Sequence, residues 1–553
     1  MSVERGSTRE PNPCPVGEGR RESSPQQSEA TQHSGGVSVG GMSGKVAGVN
    51  QEICGHSGPQ GSKLTVQART KGKAGRVEAE VGVFHSSVEV PDSTTGAEPR
   101  EGTCVEASQS SEGLDDGWEQ RISLLAQIRT PPKVRKLQRA LYRKAKAEPK
   151  YRFYSLYGEL SRMDLLDTAL ILVTKNGGSA GVDGQEIQDV NGTEESQRTQ
   201  WLQGLSEELK AKRYRPGAVR RVYIPKPDGK QRPLGIPTVR DRVVQAAAML
   251  VLMPIFEAEM HPRSYAYRPG KNAHQAMSAI VEAIGRGNFE IIDADLSGYF
   301  DSIPHPELMA MVARRVSDGA MLRLIRSWLE APIEERHSRT GKTRRWKNRC
   351  GTPQGGVISP LLANLYLNGL DWAVNERCQL RPVMVRYADD FVILCRKGRG
   401  TELLERLKKW LQARRLKLNE GKTRLVDIRE EAIQFLGFGV SWRKRKRNGW
   451  AYAHVEAHSK SQQKLRDKIQ ARLNHWTQAE QETEVIRGLN RLLKGWQGYF
   501  RFGNPSHVFG KLQYYVNNKV RQWLWRRHRC TRGKYKHYSN AILRERYGLF
   551  QLA

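Results

Sequence analysis

The segment Tyr387-Ala388-Asp389-Asp390 places two adjacent carboxylates between two short apolar runs, residues 383–387 and 391–395. Such runs predict two strands joined by a tight turn. Two carboxylates at the tip of a hairpin repel each other, and folding does not call for them. A metal ion would relieve the repulsion, and Mg²⁺ prefers hard carboxylate oxygens. A tetrapeptide of this kind is nevertheless often only a solvated polar turn.

A second acidic strand end, Asp293-Ala294-Asp295-Leu296, closes a mostly apolar stretch that begins at Phe289. Alternation along a strand puts Asp293 and Asp295 on the same face. Phosphoryl transfer with two metal ions needs carboxylates that bridge both ions. One ion activates an attacking 3′-hydroxyl, and the other holds the triphosphate and the leaving group. The candidate ligands of two Mg²⁺ ions, with Mn²⁺ as a substitute, are Asp389 and Asp390 together with an acid of the second strand end, Asp293 or Asp295.

The charge of the chain indicates a polyanionic partner. The formal net charge is +33 and is uneven, because residues 1–110 carry −2 whereas residues 441–553 carry +19 and six of the twelve tryptophans. Basic residues interleaved with aromatic ones suit an RNA surface, where phosphates are neutralised and unpaired bases stack. The alternative, that Lys and Arg only keep a large protein soluble, does not explain the uneven distribution.

Composition and periodicity divide the chain into four segments. Residues 1–115 are rich in Gly, Ser, Glu and Gln, and we expect a disordered low-complexity tail there. Helical patterns follow over residues 116–200. Strands and helices alternate over residues 201–440, and within residues 441–553 the pattern is basic and helical from about residue 459. The fold class predicted for the ordered part is α+β.

A series of short blocks runs through the ordered part in a fixed order. The blocks are Leu141-Tyr142-Arg143-Lys144-Ala145-Lys146, Gly181-Val182-Asp183-Gly184, Ile224-Pro225-Lys226-Pro227-Asp228-Gly229-Lys230, Arg232-Pro233-Leu234-Gly235-Ile236-Pro237, Tyr265-Ala266-Tyr267-Arg268-Pro269, Asp295-Leu296-Ser297-Gly298-Tyr299-Phe300-Asp301, Gly351-Thr352-Pro353-Gln354-Gly355-Gly356, Ser359-Pro360-Leu361-Leu362-Ala363-Asn364, Tyr387-Ala388-Asp389-Asp390 and Phe435-Leu436-Gly437-Phe438. With them the sequence resembles the bacterial group II intron reverse transcriptase–maturase family, from about residue 136 to about residue 525.

The resemblance implies a right-hand polymerase. Residues 201–440 would form its fingers and palm, and residues 441–553 a helical thumb that doubles as the RNA-binding maturase domain. The implied function is an RNA-directed DNA polymerase, a retroelement protein that also binds intron RNA and assists its splicing and mobility. Its substrates would be dNTPs, an RNA template and a DNA primer or target.

The resemblance also implies roles for individual residues. Asp295, Asp389 and Asp390 match the metal-binding triad of the family. Lys226 and Arg232 match finger residues that hold the incoming triphosphate, although a solvated basic hairpin is the plainer interpretation of both. Gln354 matches the residue beneath the incoming nucleotide. Phe300 matches the steric gate that blocks a 2′-hydroxyl, whereas Tyr299 beside it is expected only to pack in the core.

Two rival functions remain open from the sequence. Bacterial reverse transcriptases not tied to an intron serve phage defence, CRISPR adaptation or DNA repair. A protein that only helps RNA to fold, with an inactive polymerase, is the rival of another class, and the intact Asp389-Asp390 pair speaks against it.

The remaining features concern location and further domains. The seven scattered cysteines form no CxxC pair, which fits a reducing compartment, and no apolar run approaches membrane-spanning length. We expect a bacterial cytoplasmic protein associated with the nucleoid or with ribonucleoprotein. After about residue 525, where the resemblance ends, only His528 and Cys530 lie close together, so we expect an endonuclease-lacking member of the family.

Overall fold

The computed structural model describes residues 130–553, apart from Thr193, residues 226–228, Lys230, residues 337–339, residues 475–479 and Arg532. Three expectations lie outside the described residues. They are the disordered tail over residues 1–115, the start of the helical extension at residue 116, and the role of Lys226.

The described chain alternates helices and strands, which confirms the α+β class. The helices are α1 Pro132–Ala147, α2 Met163–Asn176, α3 Ile187–Asn191, α4 Glu195–Lys210, α5 Val239–Glu257, α6 Ala273–Gly285, α7 Tyr299–Ser302, α8 His305–Ala313, α9 Gly319–Leu329, α10 Ser359–Asn375, α11 Gly400–Gln412, α12 Ser459–Asn474, α13 Glu482–Phe500, α14 Ser506–Arg527, α15 Lys534–His537 and α16 Asn540–Glu545. The strands are β1 Val219–Pro225, β2 Gln231–Ile236, β3 Glu290–Asp295, β4 Pro332–Arg336, β5 Thr343–Lys347, β6 Val383–Tyr387, β7 Asp390–Cys395, β8 Arg424–Asp427, β9 Ile433–Phe435, β10 Phe438–Lys444 and β11 Ala451–Ala457.

Helix α5 lies at the centre of the first hydrophobic core. It is apolar on nearly all sides, as expected for a helix buried all round. The hydroxyl of Thr238 caps its start by accepting a hydrogen bond from the backbone N–H of Asp241 at 3.1 Å. Helix α1 packs against it, and the amide of Gln138 donates to the Leu250 carbonyl oxygen at 2.7 Å. The buried faces of α1, α2 and α4 thereby join one core.

Strands β1 and β2 form an antiparallel hairpin at one side of a four-stranded sheet, whose order is β2-β1-β4-β5. In this hairpin Ile224 lies opposite Arg232. Strand β4 joins the hairpin in parallel, with Val219 opposite Ile333. The hairpin was expected from the sequence, whereas the pairing with β4 and β5 was not.

The central sheet, of order β6-β7-β3-β8, is antiparallel throughout and buried on both faces. Strand alternation sends Ile292 and Ile393 into the first core, and Ile291 and Val392 into the second core. Burial on both faces explains why residues 391–395 form a continuous apolar run instead of an alternating one.

The second core connects the central sheet to the C-terminal part of the chain. Strands β9, β10 and β11 form a small antiparallel sheet, and helices α12, α13 and α14 pack with it. The helical pattern from Ser459 was expected, whereas the small sheet was not. Strand β10 runs across the expected domain boundary at residue 440. Within the described residues, no helix is both long and apolar enough to span a membrane.

A buried ion pair joins helix α10 to the central sheet. The guanidinium of Arg386 on β6 donates to both carboxylate oxygens of Asp371, through Nε to Oδ1 at 2.8 Å and through Nη2 to Oδ2 at 2.6 Å. The two side chains are 0% and 1% exposed. Arg386 Nη1 also donates to Asn364 Oδ1 and to the Ala388 carbonyl oxygen, both at 2.9 Å. Every charged atom of the pair therefore has a partner.

We predict that Asp371→Asn lowers the free energy of unfolding by about 3–5 kcal/mol, because it leaves the Arg386 charge buried without a counter-charge. The matched control is Glu282→Gln in the exposed pair Glu282–Arg286, which should cost less than about 0.5 kcal/mol. Urea denaturation followed by circular dichroism measures both. Equally small losses in the two variants would contradict the structural role of the buried pair.

Candidate active site

The turn between β6 and β7 presents the adjacent carboxylates. Tyr387 pairs with Asp390, so the turn consists of Ala388 and Asp389. Ala388 has a φ of 64°, in the left-handed region where a residue with a Cβ is strained. The hydrogen bond from Arg386 to its carbonyl oxygen holds this conformation. Local strain at the turn is thus offset by the buried ion pair beneath it.

Asp295 lies beside this turn, because it ends strand β3 directly opposite Asp390 on β7. Its Oδ2 accepts hydrogen bonds from Asn419 Nδ2 and from Lys422 Nζ, each at 3.0 Å. The Asp295 side chain is 35% exposed, and that of Lys422 is 61% exposed. The structure therefore brings the three predicted carboxylates together at one edge of the central sheet.

The carboxylates at this edge destabilise one another as anions. Burial raises the pKa of Asp390 to about 7, and the negative charges of Asp293, Asp389 and Asp295 add to the shift. Burial also raises the pKa of Asp389, with a further contribution from Asp295. Each shift marks a carboxylate that would be stabilised by a nearby cation.

Asp293 lies beside this cluster, where its charge acts on Asp390, but it has a partner of its own. Burial raises its pKa, but Arg424 Nη2 donates to its Oδ2 at 3.1 Å and opposes the rise. The side chain is only 18% exposed. Alternation did place Asp293 on the same face as Asp295, but it is engaged in a structural ion pair.

A cavity of about 480 Å³ opens in front of the carboxylates. It is lined by Arg232, Pro233, Leu234, Tyr267, Asp295, Leu296, Ser297, Gly298, Tyr299, Phe300, Asp301, Gln354, Gly355, Ser359, Pro360, Asp389, Asn419 and Lys422. Five predicted site residues are among them, namely Asp295, Asp389, Arg232, Phe300 and Gln354. Asp390 does not line the cavity, and Lys226 is not described.

Gln354 is held in the cavity wall from two sides. Its side-chain Nε2 donates to Asp301 Oδ2 at 3.1 Å, and its carbonyl oxygen accepts from the backbone N–H of Gly235 at 2.6 Å. The next residue, Gly355, has a φ of 116°, and a Cβ there would overlap the Gly235 carbonyl oxygen. A glycine is required at this point, since it lets the loop approach strand β2 and places Gln354 near Arg232.

The two aromatic residues after Asp295 have different environments. Tyr299 is 2% exposed, and its hydroxyl donates to the Ala363 carbonyl oxygen at 2.6 Å, which confirms the expected core position. Phe300 is only partly buried and lines the cavity. The ring of Phe300 is therefore in a position to contact a bound molecule.

Several cavity residues were not predicted from the sequence. Asn419 and Lys422 contact Asp295 from a polar turn before β8, and such a turn is a weak signal. Asp301, which positions Gln354, follows Phe300 in the sequence, but the sequence pattern alone does not indicate that role. Tyr267 is 51% exposed on the cavity wall with a φ of 56°. An exposed aromatic residue in a strained conformation indicates a functional position only after the structure is known.

The residues at the cavity fit divalent metal ions by their chemistry. Hard carboxylate oxygens are the ligands that Mg²⁺ prefers, and the buried anions here gain from a neighbouring positive charge. An ammonium group, that of Lys422, already lies 3.0 Å from Asp295. Within the described ranges, however, no three His, Cys, Asp or Glu side chains converge closely enough to form a preformed metal cage.

The sequence matches two family models and is similar to several known proteins. A family model described as reverse transcriptase (RNA-dependent DNA polymerase) matches residues 224–440, and one described as group II intron, maturase-specific domain, matches residues 462–541. Protein YkfC of Escherichia coli (strain K12) is 35% identical over 357 residues, which are 57% of this chain and 90% of that protein. Group II intron-encoded protein LtrA of Lactococcus lactis subsp. cremoris is 34% identical over 223 residues, which are 40% of this chain and 35% of LtrA.

These matches and the carboxylate-lined cavity define an RNA-directed DNA polymerase of the reverse-transcriptase class. A maturase-specific domain follows the polymerase domain in the same chain. The chain belongs to the group II intron reverse transcriptase–maturase family, as the sequence blocks predicted.

We predict that Asp390→Asn stabilises the metal-free protein above pH 7 by on the order of 2–4 kcal/mol. The folded-state pKa of about 7 exceeds that of the unfolded chain, so the folded state binds the extra proton. Wild-type stability should therefore fall as the pH rises from about 4 to 7, and the gain in the variant should vanish below about pH 4.

Urea denaturation in EDTA across this pH range measures the difference. The control is Asp427→Asn on strand β8 of the same sheet, because hydrogen bonding from Arg429 lowers the pKa of Asp427. This control should lose stability at neutral pH. A pH-independent effect of Asp390→Asn would show that the carboxylate does not carry the expected charge penalty.

Proposed function

We propose that Asp295, Asp389 and Asp390 hold two Mg²⁺ ions, or Mn²⁺ in their place, for template-directed DNA synthesis. The observation that carries the proposal is the position of Asp295 opposite Asp390, next to Asp389, at the edge of a cavity that Asp295 and Asp389 line together with Arg232 and Gln354. When bound, the metal ions would activate a primer 3′-hydroxyl and neutralise the triphosphate.

The protein side chains around the cavity suit a deoxynucleoside triphosphate. Arg232 is exposed, and its positive charge opposes the rise in the pKa of Asp389, so it lies close to the carboxylates. A guanidinium group in that position can donate to phosphate oxygens. Lys226 follows strand β1 of the same hairpin and would be a second cation for the triphosphate.

Two further residues of the cavity wall suit the base and the sugar. The Gln354 amide is oriented by Asp301 and would contact the incoming nucleotide from below. The ring of Phe300 would occupy the space that a 2′-hydroxyl needs. In this arrangement Asp301 orients the amide, and Phe300 selects dNTPs over rNTPs.

The partners that we propose are an RNA template, a DNA primer or target, and the intron RNA whose splicing and mobility the protein assists. The support is the reverse-transcriptase and maturase-specific domains together with the net charge of +19 over residues 441–553. Such an excess of cations favours the binding of a polyphosphate, because each neutralised phosphate releases a counterion. The proposed division of the chain keeps fingers and palm within residues 201–440 and the thumb within residues 441–553.

We predict that Asp389→Asn or Asp295→Asn lowers DNA synthesis on an RNA template by on the order of 10³-fold or more, because each removes a charge that metal binding requires. RNA affinity should stay near the wild-type value. Primer extension with Mg²⁺ and a filter-binding assay measure the two quantities, and Asp427→Asn serves as the control. Near-normal extension by either variant would refute the site assignment.

We predict that Phe300→Ala allows incorporation of rNTPs while dNTP incorporation continues, because the ring no longer fills the space beside the sugar. Single-nucleotide incorporation gives kcat/KM for dCTP and rCTP in the wild type and the variant. We expect the preference for dCTP to fall by at least about tenfold, a change of about 1.4 kcal/mol. Unchanged discrimination would assign Phe300 to core packing alone.

A further inference from the structure

The tip of the β10–β11 hairpin combines a run of cations with an exposed tryptophan. Residues 443–450, here called the basic hairpin tip, have the sequence Arg443-Lys444-Arg445-Lys446-Arg447-Asn448-Gly449-Trp450, and all eight are exposed. Trp450 is 74% exposed. The tip lies between residues 224–440 and 462–541, so neither matched domain accounts for it.

Backbone hydrogen bonds shape the basic hairpin tip. The N–H of Arg445 donates to the Trp450 carbonyl oxygen at 2.8 Å, and the N–H of Gly449 donates to the Arg445 carbonyl oxygen at 2.9 Å. Gly449 has a φ of 70°, which a glycine adopts without strain. The turn is thus formed without help from its charged side chains, which leaves them available to a partner.

The cations of the tip are poorly compensated. Arg443 Nη2 lies 3.1 Å from Glu456 Oε1, and Arg445 stacks over the ring of Tyr452 at 5.5 Å. Lys444, Lys446 and Arg447 form no ion pair within the described part of the chain. Five adjacent positive charges repel one another, and a polyanion would relieve that repulsion by binding.

The base of the hairpin is fixed to the rest of the protein. Trp442 packs edge-on against Phe289, with the ring centroids 5.1 Å apart, beside the central sheet. The backbone N–H of Asn504 donates to the Val455 carbonyl oxygen at 2.6 Å and ties strand β11 to the segment before α14. The two tryptophans of this hairpin therefore differ, since Trp442 anchors it and Trp450 projects into solvent.

We propose that the basic hairpin tip is an RNA-binding element, in which Lys444, Lys446 and Arg447 bind phosphates and Trp450 stacks on an unpaired base. The proposal rests on the proposed function, which makes RNA the polyanion that this protein handles. A solvated charged surface would account for the cations but not for the tryptophan. An exposed indole next to cations suits an unpaired nucleotide, which offers both a phosphate and a free base face.

The test uses the full-length protein and an unstructured RNA of about 20 nucleotides, long enough to cover a typical single-strand site. The hairpin variant carries Ser at positions 444–447, and its control carries Ser at four exposed cations of the central region, Arg377, Arg396, Lys397 and Lys409. Both variants lose the same net charge. Circular dichroism and the thermal midpoint establish that each variant is folded.

We expect the slope of log K against log salt to decrease by about 2–3 in the hairpin variant, and by less than about 1 in the control. Trp450→Ala should weaken RNA binding by about 5- to 100-fold, and Trp450→Phe should restore most of it. With a fully paired duplex of the same sequence, Trp450→Ala should have little effect, since no base face is free. RNA that carries 5-iodouridine should photo-crosslink to Trp450.

Equal slope changes in the hairpin variant and its control would overturn the proposal, as would wild-type RNA affinity in Trp450→Ala. If Trp450→Ala lost the same affinity for the single-stranded RNA as for the duplex, the stacking role of Trp450 would be overturned. Primer extension by the wild type and by Asp389→Asn in the same preparations tests the polymerase separately. Extension that depends on Asp389, with unaltered RNA binding by the hairpin variants, would reject the hairpin proposal alone.

Discussion

The buried pair of Arg386 and Asp371 is the interaction on which the active-site edge depends. A guanidinium and a carboxylate withdrawn from water are stable only if every donor and acceptor is used, and here the remaining guanidinium nitrogen bonds to Asn364 and to the Ala388 carbonyl oxygen. That last bond reaches the strained residue of the turn. The same pair thus fixes helix α10 against strand β6 and holds the turn that carries Asp389 next to Asp390.

The carboxylates at this edge of the central sheet destabilise the folded protein, but their negative charge suits the binding of cations. Burial and mutual repulsion raise the pKa of Asp390 to about 7, so the metal-free site carries a penalty at neutral pH. Lys422 offsets part of it from a turn outside the strands. A site that is unfavourable until cations arrive couples stability to ligand binding, a common compromise at catalytic centres.

Sequence patterns predicted the local elements of the site well. Strand β6 has the expected bounds, and the turn with its two carboxylates lies where the apolar runs placed it. Tyr299 is in the core as expected. These features depend on residues close together in the chain, where periodicity and turn chemistry act directly.

The features that sequence patterns missed depend on tertiary contacts. Asn419 and Lys422 reach Asp295 because residues 417–419 pair with the end of strand β3, more than a hundred positions earlier in the chain. The small sheet of β9, β10 and β11 has strands of mixed polarity, and its burial comes from packing on α6, on Phe289 and on the C-terminal helices. No periodicity within either segment encodes such a contact.

The central sheet also determines the order in which the protein can be completed during synthesis. Strand β3 pairs with β7 and β8, which leave the ribosome about a hundred or more residues later, and its two faces belong to two different cores. Until then Ile291 and Ile292 have no partner strand on either side. Long-range pairing of this kind slows folding and exposes apolar strand edges. Strand β3 therefore completes its pairing only after residue 427 has emerged, and the central sheet closes late in synthesis.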